Sequence, residues 1–437
     1  MTVTLFDVII LIILFGLMQS LKQMRMQLSL RILISMIVGI GFGMLLKITP
    51  IDWLLESIKK FLTLVGFGYL SFLKMLVIPL ILTSIIHAIL NLGTENGTTI
   101  KKMSFITCGM LLGMTAVASL IGLMIGEYFT VGAGLSFPAF DVAPQHTYTG
   151  IVATLLDMIP SNPVKVLVQE NTIGTVILAV LLGISARMLD KADHDKMETF
   201  RLLIASLFAI IKKLANLVLA FTPYAILSLM SLMVLDQGMT LISGMINFIG
   251  AMYVAMLIVI MMHAVILYFF GYHPVKYFRK AATPLFVAFT TRSSFGTLPV
   301  AEETLRNNFK TSQAVATFVP SLGATIGMNA CAGIFPAMLV IMTLHILQQP
   351  LTFNLIVMVM AVNAIASLGI SGIPGTAYIA ATVTLTSLNL PYAVVALVQG
   401  IDPIVDMGRT ATNVNGAITT ALIVNRFTDF KREKKTS

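Results

Sequence analysis

The stretch DPIVDMGRTATN, residues 402–413, brings charge into an otherwise neutral part of the chain. Its charged residues are Asp402, Asp406 and Arg409, and with Asn413 they recur at i, i+4, i+7 and i+11, the spacing of one helix face. An ionised side chain at the centre of a bilayer costs at least about 2.5–3.5 kcal/mol on insertion scales. We therefore expect this face to lie against protein or a water-filled cavity.

The composition of the whole chain indicates that a lipid bilayer surrounds it. Hydrophobic residues make up 57% of the 437 residues and charged residues 11%, and the mean hydropathy is +0.94. Soluble proteins carry about 25% charged residues. No Asp, Glu, Lys or Arg occurs in residues 311–401. The composition predicts an all-α polytopic membrane protein in a lipid bilayer.

The basic residues predict the topology. Apolar segments long enough to cross the membrane lie at 4–21, 30–48, 61–94, 104–130, 171–189, 203–235 and 239–271. Basic clusters lie at 22–31, 101–102, 187–201, 276–280, 305–310 and 431–435. Alternating the spans puts every cluster in the cytoplasm. We therefore expect the N-terminus outside and the C-terminus inside. The basic residues behind the net charge of +9 therefore determine the topology, and they do not indicate a nucleic-acid partner.

The C-terminal half predicts two repeated units. The segment 275–305 is interrupted by Pro and Gly and flanked by basic residues on both sides, so it enters and leaves on the cytoplasmic side as a re-entrant hairpin. A second hairpin is predicted over 353–389, and interrupted helices over 312–345 and 391–425. Matched, Gly- or Pro-interrupted apolar segments in two halves of a chain indicate a transporter binding site.

The charged face has two interpretations. One is a structural ion pair between Asp406 and Arg409 that fixes helix packing. The other is a site for an amphoteric substrate, in which Asp406 accepts hydrogen bonds from an ammonium and Arg409 holds a carboxylate. Asp402 serves either structure or cation coordination. Arg292, at the first hairpin tip, is expected to pair with one of the carboxylates when the site is empty.

Four motifs, in this order, resemble the dicarboxylate/amino acid:cation symporter family. They are TRSSFGTLP (291–299), GATIGMN (323–329), SGIPG (371–375), and DMGRT followed by NVNG (406–416). The resemblance covers about residues 30–425. Within the family, the stretch from Gly323 to Met342 is most similar to the bacterial L-cystine uptake proteins.

The resemblance implies an elevator-type transporter of a bacterial cell membrane, organised as a homotrimer. Residues 29–271 would be mainly scaffold and trimerisation helices with some transport-domain helix. Residues 272–427 would be the core transport domain, with its two hairpins and two interrupted helices. An extra N-terminal span (1–28) and a basic cytoplasmic tail (428–437) complete the chain. The implied activity is import of L-cystine by cation symport.

The resemblance also implies a substrate site. Asp406 would take the substrate amino group and Arg409 a distal carboxylate, while Asn413 and Thr410 would hold the main-chain end. The two hairpin tips would close over the substrate. The implied substrate-binding set is Ser293, Ser294, Cys331, Ser371, Gly372, Pro374, Gly375, Asp406, Arg409, Thr410 and Asn413.

Cation coupling is the point at which the sequence departs from the family. Asn329 and Ala417 stand where family members coupled to several sodium ions have carboxylates, and Gly327 replaces an Asn. Sodium prefers oxygen ligands, so a full set of sodium ions is not expected. The candidate cation-binding set is Gly323, Thr325, Asn329, Ser367, Ile370, Asp402 and Asn413. Coupling to Na⁺ or to H⁺ stays open, with Asp402 and Asp406 as candidate proton carriers and no resident cofactor.

Two other functions are weighed against cystine uptake. A symporter for acidic amino acids or C4-dicarboxylates would use the same charged face. An ion channel can also bury charges in re-entrant loops. An enzyme is not expected, because the sequence shows no nucleophile–base pair and no metal-ligand spacing.

Overall fold

A computed structural model describes most of the chain, and every regular element in the described part is helical. The described residues are 13, 16–24, 26, 28–48, 52–90, 98–136, 161–168, 172–369 and 377–428. Five helices among them are long and apolar enough to cross a membrane, over Leu30–Lys47, Lys102–Tyr128, Asp195–Leu219, Thr240–Phe269 and Asn329–Ile346. The all-helical membrane architecture predicted from composition is confirmed.

Residues 16–23 are helical, and eight further helices precede the first hairpin in the described part of the chain. They are α1 (Leu28–Ile48), α2 (Asp52–Leu90), α3 (Thr98–Tyr128), α4 (Pro163–Val168), α5 (Thr172–Ala192), α6 (His194–Leu219), α7 (Thr222–Gln237) and α8 (Met239–Phe269). With 39 residues, α2 is about 58 Å long, against about 30 Å for the bilayer core. It therefore has to tilt or extend beyond the hydrocarbon.

The span expected over 203–235 is divided between two helices. α6 ends at Leu219 and α7 begins at Thr222, with Pro223 in its first turn. Proline has no N–H to continue the hydrogen-bond ladder, but it fits the first turn of a helix, where that N–H has no partner. The break follows from this residue.

Helices α1 and α7 approach each other closely because glycines line the contact. A Cβ at Gly43 would lie 2.6 Å from the carbonyl oxygen of Ser231, and one at Gly39 would lie 2.7 Å from that of Leu227. The Ser231 hydroxyl donates a hydrogen bond of 3.0 Å to the carbonyl of Gly39. Small residues of this kind allow backbone-to-backbone packing in membranes.

The chain after α8 forms two hairpins and two interrupted helices. The first hairpin is α9 (Pro274–Thr291) and α10 (Ser294–Asn307). The first interrupted helix is α11 (Gln313–Gly323), a π-helical turn (Asn329–Ile334) and α12 (Phe335–Ile346). The second hairpin contains α13 (Phe353–Ala366), a short 3-10 turn (Ser367–Gly369) and α14 (Ala377–Ser387). The second interrupted helix is α15 (Val394–Gln399) and α16 (Asp402–Phe427).

The interruptions are tied to neighbouring helices by buried polar groups. Gly327 has φ +68°, and its N–H donates to the carbonyl of Ser367 at 3.1 Å. The side chain of Asn363, which is fully buried, donates to the carbonyl of Gly333 at 3.2 Å and to the hydroxyl of Ser119 at 3.0 Å. Backbone groups freed by a break in a membrane helix need partners of this kind.

Candidate substrate-binding site

The charged face of α16 is buried inside the protein. Arg409 is completely inaccessible to solvent, and Asp402 and Asp406 are 9% and 4% exposed. Nη2 of Arg409 donates to Oδ1 of Asp406 at 3.1 Å and also to Oδ1 of Asp402. The helical register predicted from the spacing therefore places all three groups together, away from lipid.

The cluster formed by Asp402, Asp406 and Arg409 has polar atoms that make no hydrogen bond to the described residues. Among the described residues, no partner reaches Nε or Nη1 of Arg409, or Oδ2 of Asp406. The guanidinium carbon lies 4.3 Å from the centroid of the Phe335 ring, which supports the cation from one side. A buried charged group that lacks a hydrogen-bond partner costs a few kcal/mol. The cluster therefore offers both donors and an acceptor to a ligand that carries both charges.

Asn413 joins the second interrupted helix to the first. Its Oδ1 accepts hydrogen bonds from the backbone N–H groups of Ala330 at 2.8 Å and Cys331 at 3.4 Å. Its Nδ2 donates to Sγ of Cys331 at 3.0 Å. These contacts hold the start of the π-helical turn, so a substrate main-chain group at Asn413 has to share the amide with them. Thr410 lies on the same helix and is 4% exposed.

The tip of the first hairpin, residues 292–294, lies near the cluster. Arg292 adopts a left-handed conformation with φ 53°, and Ser293 caps α10 by accepting a 3.0 Å hydrogen bond from the N–H of Gly296. Ser294 is 6% exposed. The guanidinium of Arg292 attracts the carboxylate of Asp406 electrostatically. Of the predicted second-hairpin residues, Ile370, Ser371, Gly372, Pro374 and Gly375 lie outside the described residues.

A small cavity lies between the first hairpin and α16. It contains no charged residue, and its lining residues are Ser294, Thr297, Leu298, Ala301, Pro320, Gly323, Ala324, Asn413, Val414, Ala417 and Ile418. A Cβ at Gly323 would lie 2.7 Å from Cβ of Ala417. This wall is apolar where related transporters were expected to carry a carboxylate.

The other candidate cation ligands lie around the first interruption. The Thr325 hydroxyl donates to the carbonyl of Leu322 at 2.9 Å, and the Ser367 carbonyl accepts from Gly327. The Asn329 amide donates to the Thr115 hydroxyl at 3.1 Å. The described residues contain no group of three or more His, Cys, Asp or Glu side chains arranged to hold a metal ion. Oxygen atoms are present, but a carboxylate is not among them.

Three polar residues near the cluster were not predicted from the sequence. The side-chain amide of Gln399 donates to the Tyr69 hydroxyl at 3.2 Å, and the Tyr378 hydroxyl donates to the backbone carbonyl of Gln399 at 3.4 Å. Gln399 stands three residues before Asp402 in an apolar segment, and that isolation is a signal that reveals it. Tyr69 and Tyr378 come from other helices, and no local pattern marks them.

Most of the chain matches a known protein family. The model of the sodium:dicarboxylate symporter family matches residues 28–427. The chain belongs to the sodium:dicarboxylate symporter family. The resemblance drawn from the four motifs is confirmed, and membership places the chain among membrane transporters.

Individual relatives are similar over nearly the whole chain. The L-cystine uptake protein TcyP of Bacillus thuringiensis subsp. konkukian is 33% identical over 438 residues, covering 96% of this chain and 94% of the relative. The protein of the same name from Bacillus anthracis shows the same identity and coverage. The TcyP of Bacillus licheniformis is 32% identical over 456 residues, covering 98% of this chain and 96% of the relative.

Proposed function

We propose that this protein imports L-cystine across a bacterial cell membrane by symport with a cation. The observation that carries the proposal is the buried cluster of Asp402, Asp406 and Arg409, with donor and acceptor atoms still available. The names of the TcyP relatives support cystine as the cargo. Cystine carries an ammonium and a carboxylate at each end, so it matches a site of mixed charge.

The first amino-acid end of the substrate binds at the middle of the charged face. Its ammonium donates to Oδ2 of Asp406, and a carboxylate accepts from Nε and Nη1 of Arg409, which lack partners among the described residues. Hydrogen bonds to charged groups contribute about 1.5–3 kcal/mol each. Because water is excluded here, these contacts also offset the cost of burying the charges.

Transport follows an elevator mechanism in a homotrimer. The two hairpins and the two interrupted helices move as one body with the substrate, past a scaffold that includes α1, α2 and α7. The hydrogen bond between Gln399 and Tyr69 crosses from one body to the other, so it has to break during the movement. The glycine-mediated contact of α1 with α7 supports a scaffold that stays packed.

The coupling cation is a proton or a reduced number of sodium ions. Asn329 and Ala417 are neutral, which removes two carboxylates that would hold Na⁺. Asp402 and Asp406 are the titratable groups at the cluster, and one of them is the proton carrier if H⁺ drives uptake. Oxygens of Thr325, Asn329 and Ser367 are the donors left for a single Na⁺.

The experiment is uptake of labelled L-cystine into proteoliposomes with sodium and proton gradients imposed separately. We expect accumulation with one gradient and none without a gradient. Uptake that ignores both gradients would contradict symport. Stronger inhibition by aspartate or succinate than by unlabelled cystine would instead indicate an acidic amino acid or dicarboxylate carrier. Substrate-independent current without counterflow exchange would indicate a channel.

A further inference from the structure

We infer that Gln399 and Asp402, together with the Tyr378 hydroxyl, form a second subsite that binds the far ammonium group of a diamino dicarboxylic acid. This inference rests on the proposed function, because it assumes that such a substrate enters the cluster. It assigns a separate binding role to a residue outside the predicted site, and it explains selection for cystine over substrates with one ammonium.

The first step is the orientation of the Gln399 side chain. The Thr222 hydroxyl donates to the carbonyl of Leu219 at 2.6 Å, so the bond of 2.7 Å between this hydroxyl and that of Tyr69 has Tyr69 as its donor. Each hydroxyl has one proton. The Tyr69 oxygen is then left to accept, and Gln399 meets it with Nε2 at 3.2 Å.

Because Nε2 of Gln399 contacts Tyr69, Oε1 is the amide atom left without a partner among the described residues. Gln399 is 1% exposed, and among the described residues no donor reaches Oε1. A buried acceptor without a partner costs about 1–3 kcal/mol. Such an atom is stabilised by a ligand that brings N–H donors, and an ammonium brings three.

Other acceptor groups lie near Gln399. The Tyr378 hydroxyl donates to the backbone carbonyl of Gln399 at 3.4 Å, and the Asp402 carboxylate lies close enough to the hydroxyls of Tyr69 and Tyr378 to interact with both electrostatically. Asp402 begins α16, three residues after Gln399. The Gln399 amide and the Asp402 carboxylate therefore both lie near the Tyr69 hydroxyl, with the Tyr378 hydroxyl close to Asp402. Acceptors with one negative charge favour a cation over a neutral or anionic group.

The spacing of Asp402 and Asp406 along α16 matches the separation between the two ends of cystine. Asp402 and Asp406 are one turn apart on α16, which is about 6 Å along the helix. The two Cα atoms joined by a disulfide are usually about 5.5–6 Å apart. The two ammonium groups of cystine can therefore reach one carboxylate each, with Arg409 between them for a carboxylate. A substrate with a single ammonium leaves Asp402 and Gln399 without this partner.

The test compares two substrates that differ by one ammonium. The probes are L-cystine and S-(2-carboxyethylthio)-L-cysteine, which keeps both carboxylates and the disulfide, and each is assayed as uptake by the full-length protein in proteoliposomes. We expect a KM for cystine about ten- to hundredfold below that of the analogue, the size of one charged hydrogen-bonding contact. Equal KM values for the unaltered protein would overturn the subsite.

Variants of Gln399 test whether this residue causes the preference for cystine. Gln399→Leu is expected to reduce the preference for cystine by about tenfold while the KM of the analogue stays the same. Gln399→Glu keeps an acceptor, so it should retain or increase the preference. Gln313→Leu, an exposed Gln at the start of α11, is the matched control and should behave like the unaltered protein.

The outcomes separate the subsite from the proposed function. If the unaltered protein takes up neither cystine nor its analogue, the proposed function is wrong. If cystine enters but Gln399→Leu raises both KM values equally, the subsite is wrong and cystine transport stands. If Gln399→Leu does not reach the membrane, Gln399→Glu decides, and loss of the cystine preference in that variant would overturn the subsite.

Discussion

Two neighbouring regions of α16 are largely buried and differ in how their polar groups are used. In the charged region, residues 402–410, the cluster has donor and acceptor atoms without partners among the described residues. In the neutral region, residues 412–420, Asn413 and Asn415 use both ends of their amides on protein groups. The contrast supports the proposed substrate site in the first region, whereas the amides of the second region hold helices together.

The neutral region also explains the unusual cation chemistry expected of this chain. Ala417 lies in it and lines an apolar cavity with Gly323. Burying a sodium ion against alkyl groups would leave the ion without oxygen ligands. The region that related transporters are expected to use for a cation is here part of the packing.

The largest effect is expected from Arg409→Ala in the charged region. Removing the guanidinium leaves two carboxylates buried without their cation, and removal of one partner from a buried ion pair costs about 3–5 kcal/mol. We expect cystine uptake to fall at least a hundredfold while the protein still elutes as a folded species in size-exclusion chromatography.

Arg426→Ala is the matched control for that change. Arg426 is in the last turn of the same helix, where its guanidinium carbon lies 5.1 Å from the centroid of the Tyr272 ring. Uptake should stay within about twofold of the unaltered protein, since a contact of this kind contributes only about 0.5–1 kcal/mol at exposed sites. If Arg409→Ala transported cystine as well as Arg426→Ala does, the assigned role of Arg409 would be wrong.

The next effect concerns Asp406→Asn. The amide has nearly the same shape, but it cannot offer a charged acceptor to an ammonium. We expect the KM for cystine to rise about ten- to hundredfold, because a hydrogen bond to a charged group contributes about 1.5–3 kcal/mol. Initial rates of uptake over a range of cystine concentrations measure this. An unchanged KM would remove Asp406 from the substrate site.

Tyr277 contacts the neutral region, and we expect Tyr277→Phe to lower stability without changing transport. The Tyr277 hydroxyl donates to Oδ1 of Asn415 at 2.6 Å, and both side chains are fully buried or nearly so. Loss of the hydroxyl leaves a buried acceptor unpaired and lowers stability by about 1–3 kcal/mol. Thermal unfolding in detergent tests this, and a tenfold change in the cystine KM would contradict the division between the two regions.

The smallest effect is expected from Thr420→Val. The Thr420 hydroxyl donates to the carbonyl of Gly416 within the same helix at 2.9 Å, and that carbonyl keeps its backbone partner. We expect the melting temperature to change by less than about 3 °C, since about 1 kcal/mol or less is lost. A larger loss would mean that hydroxyls in the neutral region do more than bond to their own helix.

The sequence predicts the charged region better than its surroundings for a physical reason. Helical periodicity is local, so the positions of Asp402, Asp406 and Arg409 on one face follow from their spacing. The partners that complete the site, Phe335 and Tyr69, come from helices distant along the chain. Their approach depends on the packing of the whole fold, which no short pattern encodes.

The same distinction holds for the fold. Composition and basic clusters predict an all-helical membrane protein, because the bilayer acts on every span in the same way. The division of the 203–235 segment into α6 and α7 occurs next to Pro223, whereas Pro79 lies inside the continuous helix α2, so a proline alone does not locate a break. Hydropathy therefore identified the segment without locating its break.

The most direct test of the charged region is an experimental structure of the protein with L-cystine bound, determined by electron cryomicroscopy in lipid. We predict one ammonium of the ligand within hydrogen-bonding distance of Asp406 Oδ2 and a ligand carboxylate on Nε and Nη1 of Arg409. Cystine bound elsewhere, with Arg409 contacting only Asp402 and Asp406, would contradict it.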